Sequence, residues 1–391
     1  MNATRHYLTT TSGDIEAFKQ SVSRSTNLAD YPLATSVEKN ALVYSKDTVL
    51  EACRTPADKQ KLMDEWITVW SEGPGILMIS QAMDTQIIDQ ANKLFESIIK
   101  EQKKNNLGGG DHFAKAGAND RIWNALEKHS KGDAENFSQY YANETIALAS
   151  EAWLGTGYQL TAQVNCVNPG AAAQSAHRDY HLGFMSSEQA AKYPLHVHRL
   201  SPVLTLQGAI AHCDMPLESG PTLYLPYSQN YPEGYMAFNR QEFQNYFDKN
   251  RSQPELKKGD IVFFNPALMH AAGANNSSNI SRLANLLQVS SAFGRGIESV
   301  DHQQIIESVY SALLKHKQSN SLSMAKLENI VSACTDGYPF PTNLDTDLPA
   351  DGLAPKSQRQ LTIEALATEV SNQALKDILR NHQLRRQSNQ H

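Results

Sequence analysis

The sequence predicts an α+β protein in which a jelly-roll, cupin-like β core carries helical N- and C-terminal extensions packed on it. Three observations predict this. Between Gly155 and Phe293 the chain runs in short apolar or alternating segments separated by Gly, Pro and Asp turns, the pattern of an all-β sandwich. On either side the apolar residues fall instead at helical spacing. The β stretch also holds a His-x-Asp-x-His run, which strand alternation would gather on one face.

Residues 1–55 are polar and weakly periodic and read as an irregular arm or short helices. Thr55-Pro56 opens a helix, with Thr55 as N-cap and Pro56 at its first position, bearing Leu62, Trp66, Ile67 and Trp70 until Gly73-Pro74. These residues form an N-terminal extension over 1–72. Gly75–Ser80 reads as a buried strand, and Asp84 caps a long amphipathic helix ending in the lysines of 100–106. Gly108-Gly109-Gly110 lacks the strand-then-helix context of a phosphate cradle and reads as a mobile loop. Helices are expected near 120–130 and 134–154, then strands at 158–167, 200–212, 222–226, 261–264 and 282–293, with a polar, aromatic insertion at about 226–255. The β domain spans 73–296. A C-terminal helical extension fills 297–391, with helices near 299–317, 323–333 and 360–381.

Composition narrows the function classes. Hydrophobic residues at 40% and charged residues at 19% describe a globular chain with ample core. Lys+Arg 35 against Asp+Glu 41 gives a net charge of −6, with no basic stripe, which argues against a nucleic-acid partner. No signal-peptide core or membrane-spanning run is visible, and Cys53, Cys166, Cys213 and Cys334 are too scattered for a metal site, so they read as buried free thiols. A cytoplasmic enzyme acting on a small molecule, without membrane association, is expected. Nothing in the sequence sets its oligomeric state.

His177 and Asp179, at i and i+2 on one strand, can reach a single cation. His181 at i+4 lies roughly 13 Å along the strand, too far for a shared ion, and reads as a substrate-facing neighbour. His270, at the end of an apolar run, offers a second imidazole, and Arg282 follows on the next strand. Two imidazoles and one carboxylate form the ligand set of non-haem Fe(II) oxygenases.

The order of motifs is specific: His177-x-Asp179, Gly220-Pro221-Thr222-Leu223-Tyr224-Leu225-Pro226, Lys257-x-Gly259-Asp260-x-x-x-Phe264, His270, then Arg282. Over about residues 73–294 it resembles the phytanoyl-CoA dioxygenase family. The resemblance implies a double-stranded β-helix and an Fe(II)- and 2-oxoglutarate-dependent dioxygenase. O2 would be consumed, the substrate hydroxylated or otherwise oxidised, and succinate and CO2 released. It assigns His177, Asp179 and His270 to the metal and Arg282 to the distal carboxylate of 2-oxoglutarate. Gln163, Asn165 and Thr205, polar residues in otherwise core-like strands, are further candidate cosubstrate contacts. Arg178, Tyr180, His181 and Arg295 are candidate substrate contacts. Pro226 is followed by Tyr227-Ser228-Gln229 where the family often has Gly-Ser-His, and Arg178 stands where it often has glutamine, so no particular substrate is carried over. An alternative is a zinc or manganese cupin-like hydrolase or isomerase using the same ligands without O2.

Overall fold

The computed structural model describes residues 6–105, 118–349 and 352–388. Ten strands are defined among them: β1 (Ser36–Glu38), β2 (Ala41–Ser45), β3 (Ile76–Ser80), β4 (Asn119–Ile122), β5 (Gln159–Val167), β6 (Thr205–Ala211), β7 (Leu223–Leu225), β8 (Ile261–Phe264), β9 (Met269–Ala271) and β10 (Arg282–Ser290). Eight form one sheet in the order β1-β2-β3-β8-β6-β10-β5-β4, antiparallel except where β2 meets β3. The second sheet is the pair β7-β9. The molecule is thus a mixed α+β protein with one large, mainly antiparallel sheet.

Alternation along the central strands divides the large sheet into two chemically different faces. Leu160, Ala162 and Val164 of β5, with Leu283, Leu287 and Val289 of β10, join a core that includes Trp66, Trp70 and Phe137 from the helices. Gln163 and Asn165 of β5, and Ala284, Leu286 and Gln288 of β10, turn the other way, toward a cavity. The small sheet supplies the facing wall, with Tyr224 and His270 on the cavity side. The polar residues in these strands therefore mark the inner face.

Several expectations hold closely. Thr55 caps the helix Pro56–Ser71 by accepting the Asp58 N–H, and Asp84 caps Thr85–Lys104. Others need correction. The N-terminal arm is not merely irregular: β1 and β2 extend the main sheet alongside β3. The stretch read as a helix near 120–130 opens with β4, and only Ala125–Gly132 is helical. The expected helix 134–154 is two, Ala134–Tyr141 and Glu144–Leu154, because the Asn143 side chain accepts the N–H groups of Thr145 and Ile146 and starts a new helix. Leu195–Leu200 is helical, so β6 begins only at Thr205. The last helix is likewise a pair, Gln358–Ala367 and Asn372–Arg385. The cysteines are free, but only Cys334 is buried: Cys166 and Cys213 are half-buried and Cys53 is exposed. The Gly108-Gly109-Gly110 run lies outside the described residues. Among the described residues, no helix is long and apolar enough to cross a membrane.

Behind the sheet, away from the cavity, His212 is buried in a polar network. Its Nδ1–H donates to Asn92 Oδ1 at 2.6 Å, and its Nε2 accepts from the Tyr140 hydroxyl at 2.7 Å. His129 donates from Nε2 to Asn136 Oδ1 at 2.8 Å. Burial keeps both imidazoles neutral, lowering the pKa of His129 to about 4 and of His212 to about 3. In the unfolded chain both return toward about 6.5, so that state takes up protons first as pH falls. Stability is therefore full above pH 6.5 and declines below it, by about 2 kcal/mol per histidine by pH 5. Urea-unfolding midpoints between pH 7 and 5 should show this decline, and His212→Gln should make it shallower. A midpoint constant over that window would contradict the neutral network.

Candidate functional site

The site is built across the two sheets. β9 pairs with β7 on one side, placing His270 opposite Tyr224. On its other side His270 forms an isolated bridge with His177, and the two exchange backbone hydrogen bonds at 2.9 and 3.0 Å. Directly opposed residues in such a pair project to the same face. Tyr224, His270 and His177 thus form a row over the cavity, with the imidazole centroids of His177 and His270 4.5 Å apart. Asp179, two residues beyond His177, is held by its N–H on Pro266 O at 2.9 Å and returns its carboxylate to that row.

His177 Nε2 lies 3.7 Å from Asp179 Oδ1, and His270 Nε2 lies 3.4 Å from Oδ2. One donor atom from each of the three residues falls within 4.8 Å of the others. Both imidazoles donate Nδ1–H to a backbone carbonyl two residues back, His177 to Ser175 at 2.9 Å and His270 to Leu268 at 2.8 Å. A carbonyl can only accept, so Nδ1 carries the proton and the Nε2 lone pairs face the shared centre. Burial would raise the Asp179 pKa; when the two imidazoles are protonated, their charges and the hydrogen bonds from His270 and Gln207 outweigh it and hold the carboxyl well below its usual range. Gln207 Nε2 donates to Asp179 Oδ2 at 2.5 Å and orients it. Two neutral imidazole nitrogens and one oriented carboxylate fit a divalent first-row metal.

A cavity of about 470 Å³ opens beside these ligands. Arg282, the first residue of β10, lines it with Thr222 and Tyr224 nearby on the lining. Its Nη1 donates to Ser219 O at 3.2 Å and Gly273 O at 3.4 Å, and it forms no ion pair with a carboxylate among the described residues. Burial lowers its pKa to about 10, leaving it charged at neutral pH. A buried guanidinium of this kind suits a bidentate carboxylate from a ligand.

Gln163 and Asn165 line the same cavity. Thr205 does not: it is buried at the start of β6, and its hydroxyl has no partner among the described residues. The substrate candidates fare differently from the ligands. Arg178 points away from the cavity, donating to Ser228 O and to Tyr231 O at 3.4 Å and lying over the Tyr235 ring. The alternation that turns its two neighbours inward turns Arg178 outward. The expected strand through His177 and Asp179 is only an extended segment bridged to His270, and it ends where Tyr180 and His181 take positive φ values of 64° and 43°. The Tyr180 hydroxyl donates to Gln288 Oε1, and His181 Nδ1 lies 3.4 Å from Ser201 Oγ; neither residue lines the cavity. Arg295 is exposed outside it. His212 lies in the buried network behind the sheet.

Sequence reasoning missed Gln207, Tyr224, Arg121 and Trp123, all of which line the cavity. Gln207 and Tyr224 had a usable signal, as polar or aromatic residues at inward positions of β6 and β7. Arg121 and Trp123 sit on or beside a four-residue edge strand that reads locally as helix.

Residues 71–284 match the family described as phytanoyl-CoA dioxygenase (PhyH), which is more than half of the chain. The chain belongs to the phytanoyl-CoA dioxygenase family. Its Fe(II), 2-oxoglutarate and O2 chemistry fits the metal ligands and buried arginine found here. No curated protein matches this phytanoyl-CoA dioxygenase family member. Similar solved structures include the non-haem α-ketoglutarate-dependent epimerase SnoN from nogalamycin biosynthesis (16% identity, TM-score 0.41, 61% of this chain and 82% of that one). The carbocyclase SnoK from the same biosynthesis has 16% identity and a TM-score of 0.43 over 68% of this chain and 92% of that one. HygX from Streptomyces hygroscopicus, with nickel and 2-oxoglutarate bound, has 13% identity and a TM-score of 0.40 over 61% of this chain and 90% of that one. These likenesses are too distant to bear on the reaction.

Proposed function

We propose that this chain is an Fe(II)- and 2-oxoglutarate-dependent dioxygenase built on a double-stranded β-helix, hydroxylating or otherwise oxidising a small organic substrate with release of succinate and CO2. The observation that carries the reading is the convergence of His177, Asp179 and His270 in the same cavity as the buried Arg282. His177 Nε2, His270 Nε2 and one Asp179 oxygen would hold the metal, leaving positions for cosubstrate and O2. Bound there, the metal and 2-oxoglutarate supply the oxidising power that the protein's own side chains lack. The chain's residues do the rest. Arg282 would bind the distal carboxylate, with Thr222, Tyr224 and Asn165 shaping that end of the cavity. Gln207 would keep one Asp179 oxygen occupied, so that the carboxylate presents the other. Phe264, packed 4.9 Å from His270 centroid to centroid, would shield that imidazole, with Met215 and Leu256 also on the lining.

The test is anaerobic addition of Fe(II) and 2-oxoglutarate to the full chain. A metal-to-ligand charge-transfer band is expected, followed by succinate release on admitting O2. His270→Ala should abolish the band; an intact band in that variant would disprove this ligand assignment. Activity under nitrogen, with no succinate formed, would favour the metal-dependent hydrolase or isomerase.

A further inference from the structure

We propose that Tyr180 and Gln288 are positioning residues for the metal-binding carboxylate. They form the far end of a hydrogen-bond chain, Tyr180–Gln288–Gln207–Asp179, whose middle link closes in the metal-loaded protein. Their role rests on the metal-site reading above and extends it beyond the ligands. Two links are already made: Gln207 Nε2 donates to Asp179 Oδ2 at 2.5 Å, and the Tyr180 hydroxyl donates to Gln288 Oε1. The link between the two amides is open. Gln207 Oε1 is buried without a partner, and Gln288 Nε2 makes no hydrogen bond among the described residues. Gln207 on β6 and Gln288 on β10 are directly paired in the antiparallel register, so their side chains leave the same face of the sheet as neighbours. Both line the cavity and both are buried.

The direction of every donor is dictated. An ionised carboxylate only accepts, so Gln207 must turn its Nε2 to Asp179 and its Oε1 away. That buried oxygen needs a donor, and leaving it unpaired is costly. Gln288, whose own Oε1 is taken by the Tyr180 hydroxyl, has its Nε2 left to give. The four groups therefore run head to tail, hydroxyl to amide to amide to carboxylate, the arrangement in which each hydrogen bond polarises the next. The chain also supplies what the backbone does not. The segment bearing His177 and Asp179 is not a strand of the large sheet. The Asp179 backbone is held instead by Pro266, ahead of β9, and by the Tyr235 hydroxyl, which donates to its carbonyl at 2.9 Å. Asp179 and Tyr180 reach the large sheet through their side chains, at Gln207 on β6 and Gln288 on β10. A Gln207 amide held at one end can swing; held at both, it fixes which Asp179 oxygen is left for the metal and how the carboxylate plane is tilted. Restraint of Asp179 at that other oxygen would in turn still Gln207, which is why the link closes in the loaded protein.

The test reads metal binding in the full chain, with no turnover: nickel affinity by calorimetry, and the visible d–d absorption of bound Co(II). Tyr180→Phe, which removes one hydroxyl, should weaken nickel binding about three- to tenfold and shift the Co(II) bands. Gln288→Met, similar in length but without the amide, should do the same, and Gln207→Met should cost about tenfold or more. In the Gln207→Met background, Tyr180→Phe should change nickel affinity by less than about twofold, because the path to Asp179 is already cut. Unchanged nickel affinity and Co(II) bands in Tyr180→Phe would overturn the proposal, whatever the unfolding midpoint does. So would an equal loss with and without Gln207. The unmodified protein tests the open link even if a variant does not fold. Its crystal structure with nickel should place Gln288 Nε2 within about 3.2 Å of Gln207 Oε1, and a Gln288 Nε2 bonded elsewhere would overturn the chain. Failure of the metal-site reading shows separately, as unmodified protein that takes up no nickel.

Discussion

Arg282→Ala is expected to weaken 2-oxoglutarate binding by about 2–5 kcal/mol, thirty-fold or more, with the metal held as before. The size follows from burial. Arg282 is 6% exposed, and two backbone carbonyls fix its Nη1. The energy of desolvating and orienting the cation is therefore already met in the folded protein, and a bound carboxylate would gain the full charge-assisted contact. The selectivity follows from position. Arg282 donates to the Ser219 and Gly273 carbonyls, whereas the imidazoles of His177 and His270 are oriented by their own backbone carbonyls. Titrating the nickel-loaded protein with 2-oxoglutarate, and the metal-free protein with nickel, separates the two effects. Arg282→Lys should recover charge but not the paired geometry, and so only part of the affinity. Unchanged 2-oxoglutarate affinity in Arg282→Ala would remove the cosubstrate role, and nitrogen-stable activity indifferent to this change would fit the hydrolase.

What was legible in the sequence, and what was not, depends on how far each rule reaches. Alternation grouped His177 with Asp179, and the structure keeps them together because the backbone stays extended until Tyr180. The same rule, applied to the residue between them, turns Arg178 to the opposite side; its charge had suggested a ligand contact. Alternation also cannot show where a strand leaves the cavity. Gln163 and Asn165 are in the cavity, whereas Thr205, on the inward-facing register of β6, lies beyond its end. His181 lies off the cavity lining for a local reason: two successive residues of positive φ redirect the chain into the turn His181–Phe184.

Longer-range placements were harder. The pairing of β2 with β3 joins residues separated by two helices, Lys46–Ala52 and Pro56–Ser71, and no local pattern shows that the N-terminal arm completes the sheet. Asn143 is a visible N-cap residue, but continuous apolar spacing on both sides hid the break that it makes. Arg121 shows the same limit. Its strand is short because it needs only to edge β5, and Ile122-Trp123-Asn124-Ala125-Leu126 resembles the start of a helix, which it also is. A cavity-lining residue thus sits where two elements meet, and neither period identifies it.

Gly234→Ala is expected to be among the most destabilising single changes in the chain, by about 3–5 kcal/mol, through a residue that bears on the metal ligands. A β-carbon at Gly234 would lie 1.8 Å from Arg178 Cζ and 1.9 and 2.1 Å from its two terminal nitrogens. The guanidinium has no exit: Arg178 is 3% exposed, enclosed by Ser228 O, Tyr231 O and the Tyr235 ring. Forcing it aside would strand a buried charge away from its acceptors. Because Arg178 lies between His177 and Asp179, any backbone shift that relieves the clash moves both ligands. Nickel affinity should therefore fall together with the unfolding midpoint. Arg178→Ala removes the obstacle at its own cost in stability, so the double variant Arg178→Ala/Gly234→Ala should lose clearly less than the sum of the single changes. Additive losses, or a Gly234→Ala variant with unaltered nickel affinity, would show that the outward-facing arginine does not hold the ligand-bearing segment in place. Non-additivity would place it, with Gly234, in the scaffold that sets the spacing of the two ligands beside it.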